Sequence, residues 1–295
     1  MPKMKKMNRM LVVCAALSIA SAALAQDRDN ERREGQRANN LASSPVMDKL
    51  AASRDVEVTD AQLAELKTLQ MEALWDALGD YRGNYARGFE TSQPGQRVVG
   101  RALTMRHLPP RPDLVEALDT LAEAGDWNRS FYGRAADEGE PGDVIVVELG
   151  GLSGDHMFGD MGALGMKLAG IRGAIVDGGS RDLAELSDPG FADFPVFARY
   201  FTAVVSQWQG VDWNVPVRIG RATVLPGDIV VASDSGVLFI PPQLVGEVLS
   251  KAREKVAMEN YQRELLRSGQ HRFGDIYPLS PALLEEFRRR PTPRR

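Results

Sequence analysis

Gly159 to Asp182 reads GDMGALGMKLAGIRGAIVDGGSRD, and its three parts set the fold class. Gly159-Asp160-Met161-Gly162 is a glycine-bracketed turn that opens a short helical run through Leu168. Gly173 to Asp177 (GAIVD) reads as a buried strand. Gly178-Gly179-Ser180 reads as a flexible turn that delivers Arg181 and Asp182 side by side. A helix feeding a buried strand through glycine turns is α/β organisation. The same residues suggest chemistry. A helix start presents free N–H groups and a positive dipole end, which suit a carboxylate or phosphate. Arg beside Asp offers an anion clamp and a hard oxygen ligand for Mg²⁺. Such turns are also ordinary punctuation, and an Arg-Asp pair is often a surface pair or a helix cap. Residue types alone leave both readings open.

Upstream, Thr59-Asp60 starts a helix whose apolar positions Leu63, Leu66, Met71, Leu74, Trp75 and Leu78 recur at three- and four-residue spacing until Gly79. Tyr81 to Pro94 has turn composition. Arg97 to Met105 reads as a strand, with His107 just after it, and Pro112-Asp113 begins a helix through Ala124. Gly125 to Gly139 reads as a polar loop carrying Trp127, Phe131 and Tyr132, longer than most connections. Pro141-Gly142-Asp143 launches Val144-Ile145-Val146-Val147, a run typical of a strand buried on both faces. Pro226-Gly227-Asp228 launches Ile229-Val230-Val231 in the same way, and Gly220-Arg221-Ala222 echoes Gly100-Arg101-Ala102. This weak internal echo points to a compact β-barrel or sandwich layer surrounded by helices rather than a Rossmann sheet. Further strands are expected over Phe194–Tyr200, Val215–Val224 and Gly236–Ile240, with a short helical turn after Asp182 and a long, partly charged helix from Pro242 to Ser268.

The chain has 295 residues, 43% of them hydrophobic, enough for a substantial core. Residues 1–25 read as a secretory signal peptide: Lys3, Lys5, Lys6 and Arg9, then an apolar stretch from Met10 to Leu24, then the A-x-A pattern of Ala23-Leu24-Ala25. The stretch is too short and wrongly flanked for a stable membrane anchor, so a periplasmic or secreted protein is expected. Residues 26–53 are polar and read as a linker, 54–269 as the catalytic domain, and 270–295 as a basic, flexible C-terminal extension. Cys14, the sole cysteine, falls in the signal, so the mature chain has no disulfide or cysteine metal site. Removing the signal's four basic residues leaves 32 basic against 40 acidic, a net charge of −8. That balance argues against nucleic-acid binding. No G-x-G-x-x-G follows a strand and no P-loop is present, so nucleotide cofactors are not indicated.

Twenty residues separate Asp160 from Arg181, giving D-x20-R-D. With the strand-GG-x-RD turn, this resembles the RraA-like family, which includes class II 4-hydroxy-4-methyl-2-oxoglutarate aldolases that also decarboxylate oxaloacetate, and the regulator of ribonuclease E activity. The resemblance spans Leu63 to Gly269 and covers the GRA and PGD motifs, Phe194 to Arg199 and Val215-Pro216-Val217. It implies a lyase acting on small α-keto acids through an enolate, with Mg²⁺ or Mn²⁺ as cofactor. Asp182 is then the metal ligand, Arg181 faces the keto or enolate oxygen, and Asp160 works on a metal-bound or proton-transferring water. The backbone of Gly159, Asp160, Met161 and Gly162 holds the substrate carboxylate. The resemblance also implies a homo-oligomer, a trimer or a hexamer, in which Glu259 reaches a neighbouring subunit's metal site, with Glu254 and Glu264 as alternates. The alternative is a non-catalytic binding or regulatory protein.

Lys167 and Arg199 are further candidates to line an anionic pocket. Two departures from the family stand out: Glu148 replaces a common Asp, and the loop Gly150 to Phe158 is long and rich in His and Met. Asp155 and His156 offer a ligand there, while its three glycines favour a mobile rim. Export with cleavage after Ala25 is the expected outcome of the N-terminal pattern. N-terminal sequencing of the exported protein should begin at Gln26; an intact Met1 on soluble cytoplasmic protein would refute it.

Overall fold

A computed structural model describes residues 45–153, 155–204 and 206–290. The expected signal peptide, residues 26–44 of the expected linker and residues 291–295 lie outside them. Ser53–Arg295 form one compact unit, while residues 45–52, the first turns of helix α1 (Pro45–Arg54), belong to a separate one. Among the described residues no helix is long and apolar enough to cross a membrane.

In chain order the elements continue with α2 (Asp60–Thr68), α3 (Met71–Ala77), β1 (Tyr85–Ala86), β2 (Glu90–Thr91), β3 (Val98–Leu108), α4 (Pro112–Glu123), α5 (Phe131–Glu138) and β4 (Asp143–Glu148). Then come α6 (Asp160–Leu168), β5 (Ala174–Ser180), α7 (Leu183–Leu186), β6 (Val196–Phe201), β7 (Gln209–Trp213), β8 (Val217–Ile219) and β9 (Ala222–Val224). The chain closes with β10 (Ile229–Ser233), β11 (Gly236–Ile240), α8 (Val245–Ser268), α9 (Phe273–Ile276) and α10 (Pro281–Arg289).

Nine strands form one mixed sheet in the order β1-β11-β10-β3-β4-β5-β6-β2, with β7 paired to the far half of β3. The four central strands β3 to β6 are parallel and the outer ones antiparallel. Side chains alternate across a strand, and the alternation here separates two kinds of core. One face carries Leu103, Met105, Ile145, Val147, Ala174 and Val176 against α5 and α6, and Val99, Val231 and Leu238 against α2, α3 and α8. The other carries Ala102, Val144, Val146, Ile175, Phe197 and Val230 against the β8–β9 hairpin. The hairpin is the sandwiching layer and the helices surround the sheet, in agreement with the α/β expectation.

Several local expectations change. The helix from Thr59 to Gly79 is two helices, broken at Leu69 and Gln70, whose backbone is extended. The Arg97 guanidinium donates to the Lys67 and Leu69 carbonyls and so satisfies groups that a continuous helix would have used internally. Thr59 and Gln62 make a reciprocal capping box at the start of α2. The loop over Gly125–Gly139 contains α5, whose Phe131 and Ala135 are buried against the sheet. The turn-like stretch Tyr81–Pro94 contributes two two-residue edge strands, and the loop before Trp213 contains β7. Val215–Val224 is a hairpin, because Gly220 takes φ +58° and reverses the chain. The C-terminal extension is folded as far as Arg290: Phe287 stacks on Tyr261 of α8, Arg290 pairs with Glu264, and Gln262 donates to the Ile276 carbonyl.

His107 lies inside β3 rather than after it, at a register shift opposite β7, with Phe131 edge-on at 5.2 Å. It is buried, and its Nδ1 has no hydrogen-bond partner. Burial holds its pKa down to about 4. Above about pH 6.5 the imidazole is neutral folded or unfolded and contributes no pH dependence. Between about 6.5 and about 4 the unfolded chain takes up a proton that the folded chain refuses, so stability falls as pH falls. From pH 7 to pH 5 the loss should be on the order of 2 kcal/mol relative to His107→Gln. Urea unfolding of both proteins at the two pH values measures it; parallel pH dependences would refute the assignment.

Candidate functional site

The site forms at the carboxyl end of β5. All seven residues of this strand are buried, including Gly178, Gly179 and Ser180. The glycines are therefore strand residues, not the flexible turn expected. They are needed for close packing: a Cβ at 178 would stand 2.8 Å from the Leu149 side chain, and one at 179 would stand 2.7 Å from the Tyr200 ring. The chain leaves the strand at Arg181 and enters α7 through Asp182.

Asp182 adopts a left-handed backbone, φ 56° and ψ 46°. Asp tolerates this region better than most residues, but the conformation persists only where its surroundings over-determine it. Those surroundings are specific. The Asp160 N–H donates to Asp182 Oδ2 at 3.2 Å, so the carboxylate rests on the first turn of α6, at the positive end of its dipole. Gly159 makes room for it: a Cβ there would overlap Asp182 Oδ2. Arg181 Nε lies 3.8 Å from Asp182 Oδ1, too far for a hydrogen bond, and is buried with no partner. Both side chains remain about one-third exposed, at 35% and 30%.

The residues before α6 are laced to the same strand end. Gly179 N–H donates to the Asp155 carbonyl at 2.7 Å, Met157 N–H to the Gly179 carbonyl at 3.2 Å, and Arg181 N–H to the Phe158 carbonyl at 3.0 Å. Ser180 Oγ also donates to the Phe158 carbonyl, at 3.0 Å. The D-x20-R-D spacing thus has a plain geometric meaning. Helix α6 leaves the site, β5 returns to it, and backbone bonds join the two ends. Asp160 is half-exposed at the first turn, Met161 is exposed, and Tyr132 of α5 packs beside Gly162. One of the α6 amides expected to hold a substrate carboxylate, that of Asp160, is occupied by Asp182.

Other candidates are engaged elsewhere. Lys167 pairs with Asp193 at 2.6 Å, and Arg199 with Asp177 at 2.5 Å while covering the Phe89 ring at 4.0 Å. Neither cation is left to line an anionic pocket. Glu148 accepts from Arg106 Nε at 3.2 Å and from Arg218 N–H at 3.0 Å, which joins β4 to β3 and to the hairpin. Glu259 lies 2.9 Å from Arg263 and 3.9 Å from Lys255, both on its own helix.

The residue underweighted in the sequence is His156. It pairs with Gly179 as an isolated parallel bridge, is 5% exposed, and has Nδ1 3.5 Å from Asp155 Oδ1. Burial is the first cause that lowers its pKa, and Arg181 lowers it too, against Asp155 and Asp182. Its position beside β5 is a pairing that local sequence does not announce. Among the described residues no group of three or more His, Cys, Asp or Glu converges on one point. A resident divalent ion would therefore be held by Asp182 with water and substrate oxygens in the other positions. That donor set fits Mg²⁺, which keeps several waters and takes one or two carboxylates. The missing Cβ at Gly159 supplies the cradle for that carboxylate.

The RraA-like family model, described as Aldolase/RraA, matches residues 71–239, which include the whole of this constellation. The chain belongs to the RraA-like family. A relative from Halalkalibacterium halodurans, named "Putative 4-hydroxy-4-methyl-2-oxoglutarate aldolase", is 32% identical over 197 residues, 66% of this chain and 83% of the relative. A crystal structure of an uncharacterised protein from Pseudomonas syringae pv. tomato superposes with a TM-score of 0.62 at 26% identity, over 75% of this chain and 95% of that one. Streptomyces coelicolor RraAS2, described as an unusual member of the RNase ES inhibitor RraA family, superposes with a TM-score of 0.59 at 25% identity, over 70% of this RraA-like chain and 99% of its own.

Proposed function

We propose that this protein is a divalent-metal-dependent carbon–carbon lyase of small α-keto acids, exported to the periplasm. Its reaction is aldol cleavage of 4-hydroxy-2-oxo acids to pyruvate, decarboxylation of oxaloacetate, or both. The observation that carries the reading is the Asp182 carboxylate on the α6 N-terminus beside the unpartnered, buried Nε of Arg181. Relatives named as aldolases of this type support it.

In both reactions a bond to C3 of the keto acid breaks and its electron pair moves toward the keto oxygen, so negative charge grows there. Arg181 meets that charge: its Nε is already desolvated and carries no internal hydrogen bond, so it can donate without first breaking one. The remaining free amides at the start of α6 orient the substrate carboxylate. Asp160, half-exposed on the same turn, moves a proton through water between solvent and the reacting atoms. A divalent ion, if held by Asp182, would supply Lewis-acid stabilisation of the same developing charge. The assembly proposed is a trimer or hexamer in which Glu259, now tied to Arg263 and Lys255, approaches the next copy's site.

The alternative is a non-catalytic regulator of the kind that the RraAS2 description suggests for that protein. Turnover separates the two. Purified mature protein with Mg²⁺ or Mn²⁺ should release pyruvate from oxaloacetate or from 4-hydroxy-2-oxo acids. Asp182→Ala should lower kcat at least about a hundredfold, by analogy with loss of one charge-stabilising group. Arg181→Lys should also lower it, because an ammonium cannot reproduce the guanidinium fork, while Mn²⁺ affinity is retained. Wild-type turnover by Asp182→Ala would remove the site assignment. Light scattering should show the oligomer at micromolar concentration; an active monomer would remove the shared Glu259.

A further inference from the structure

His156, Gly179 and Tyr200 form a row across three chain segments at the mouth of the site. His156 bridges Gly179, and Gly179 is in register with Tyr200 of β6. Residues paired across neighbouring strands present their side chains on one face. Between the imidazole and the phenol there is no Cβ, and the Tyr200 ring leans into that gap: a Cβ at 179 would lie 2.7 Å from Cε2 and 3.2 Å from the hydroxyl. Gly179, the middle of the row, lies two residues before Arg181 in the chain.

His156 is rigidly mounted. The Asp155 carboxylate accepts the His156 N–H at 3.0 Å through Oδ1 and the Gln207 N–H at 2.7 Å through Oδ2. The Asp155 carbonyl accepts from Gly179 at 2.7 Å. These bonds join the segment before α6 to β5 and to the loop after β6, so the long loop is pinned here rather than a mobile rim. Nδ1 of the imidazole is buried beside Asp155 Oδ1 at 3.5 Å, without a hydrogen bond. That leaves Nε2 as the nitrogen for a ligand. With Gly179 two residues before Arg181, the imidazole stands beside the segment that carries the Arg181–Asp182 pair, and both charges act on it.

We infer that His156 is a specificity-determining residue, its Nε2 hydrogen-bonding the C4 hydroxyl of a 4-hydroxy-2-oxo acid. The inference rests on the lyase reading. With the substrate carboxylate at the α6 amides and the keto oxygen at Arg181, the carbon chain extends past Arg181 toward His156. A neutral imidazole suits a hydroxyl, which both donates and accepts. The Asp155 carboxylate behind it disfavours a second carboxylate in the same place. The preferred substrates are therefore those with an uncharged, hydroxyl-bearing distal end. A site built to bond a substrate hydroxyl discriminates against analogues lacking it.

The test uses full-length mature protein with Mn²⁺ and three readings: cleavage of a 4-hydroxy-2-oxo acid, decarboxylation of oxaloacetate, and exchange of pyruvate methyl hydrogens in D₂O. The second and third involve no C4 hydroxyl. His156→Asn, whose amide reaches only the Nδ1 position, should lower kcat/KM for the hydroxy acid about tenfold, the order of one lost hydrogen bond, and leave the other two readings unchanged. His156→Gln, which reaches the Nε2 position, should recover most of the loss. An equal fall in all three readings, or no fall in any, overturns the inference. A wild-type protein that gives none of the three readings sinks the lyase reading itself, before any variant is compared. If His156→Asn does not fold, His156→Leu carries the same expectation.

Discussion

The site depends on a strand end without side chains. Gly178 and Gly179 let β5 run its last residues between Leu149 on one side and Tyr200 on the other, with no room for a Cβ at either position. The same absence opens one edge of the strand to the segment from Asp155 to Phe158, whose backbone bonds to Gly179 and Arg181 close the unit. An unpaired backbone group buried here would cost about as much as a lost hydrogen bond. The lacing removes that cost and fixes where Arg181 and Asp182 emerge. Without it, Asp182 would have no reason to hold a left-handed backbone over the start of α6.

Electrostatics then narrows what the emerging pair can do. Arg199, Lys167 and Arg106 each have carboxylate partners within the fold. Arg181 is different: its nearest carboxylate is its own neighbour, at a distance that leaves Nε unsatisfied. A buried donor without a partner is expensive unless a ligand supplies one. Asp182 shows the complementary pattern. Its carboxylate takes one N–H from a helix terminus and stays partly open to solvent. One group is placed to meet an anion and the other to offer oxygen to a cation, a few ångströms apart, the polarity that the proposed keto-acid chemistry requires.

The core explains why this arrangement is stable enough to be strained locally. Two apolar clusters on one sheet face hold the helices, and a third on the other face holds the hairpin. The parallel strands β4 and β5 are apolar on both faces, so their carboxyl ends are positioned by burial on either side. The aromatic contacts of Phe131 with His107, Trp127 and Trp213 seat α5, which brings Tyr132 against the first turn of α6. Helix α8 and the two helices after it lie outside the span that the family model matches; the first half of α8 packs on the sheet with α2 and α3, and Phe287 and Arg290 meet its second half at Tyr261.

Sequence by itself determined the α/β class and the buried strands launched by the two PGD turns, because these rest on short-range chemistry, while the resemblance to the RraA-like family singled out Asp160 with Arg181 and Asp182. Apolar runs, glycine turns and motif spacing are properties of neighbouring residues. It misread whatever depended on a distant partner. Gly178-Gly179 looked like a flexible turn, since nothing local reveals that Leu149 and Tyr200 fill the space of their missing side chains. Leu69-Gln70 looked helical, since Arg97 lies well downstream. Lys167 and Arg199 looked free, since Asp193 and Asp177 are brought to them only by folding. His156 looked like a rim residue for the same reason: its pairing with Gly179 crosses a helix and a strand. Tertiary structure decided these cases because a hydrogen bond, an ion pair or a packed ring is set by separation in space, and the chain fixes that separation only after the sheet has formed.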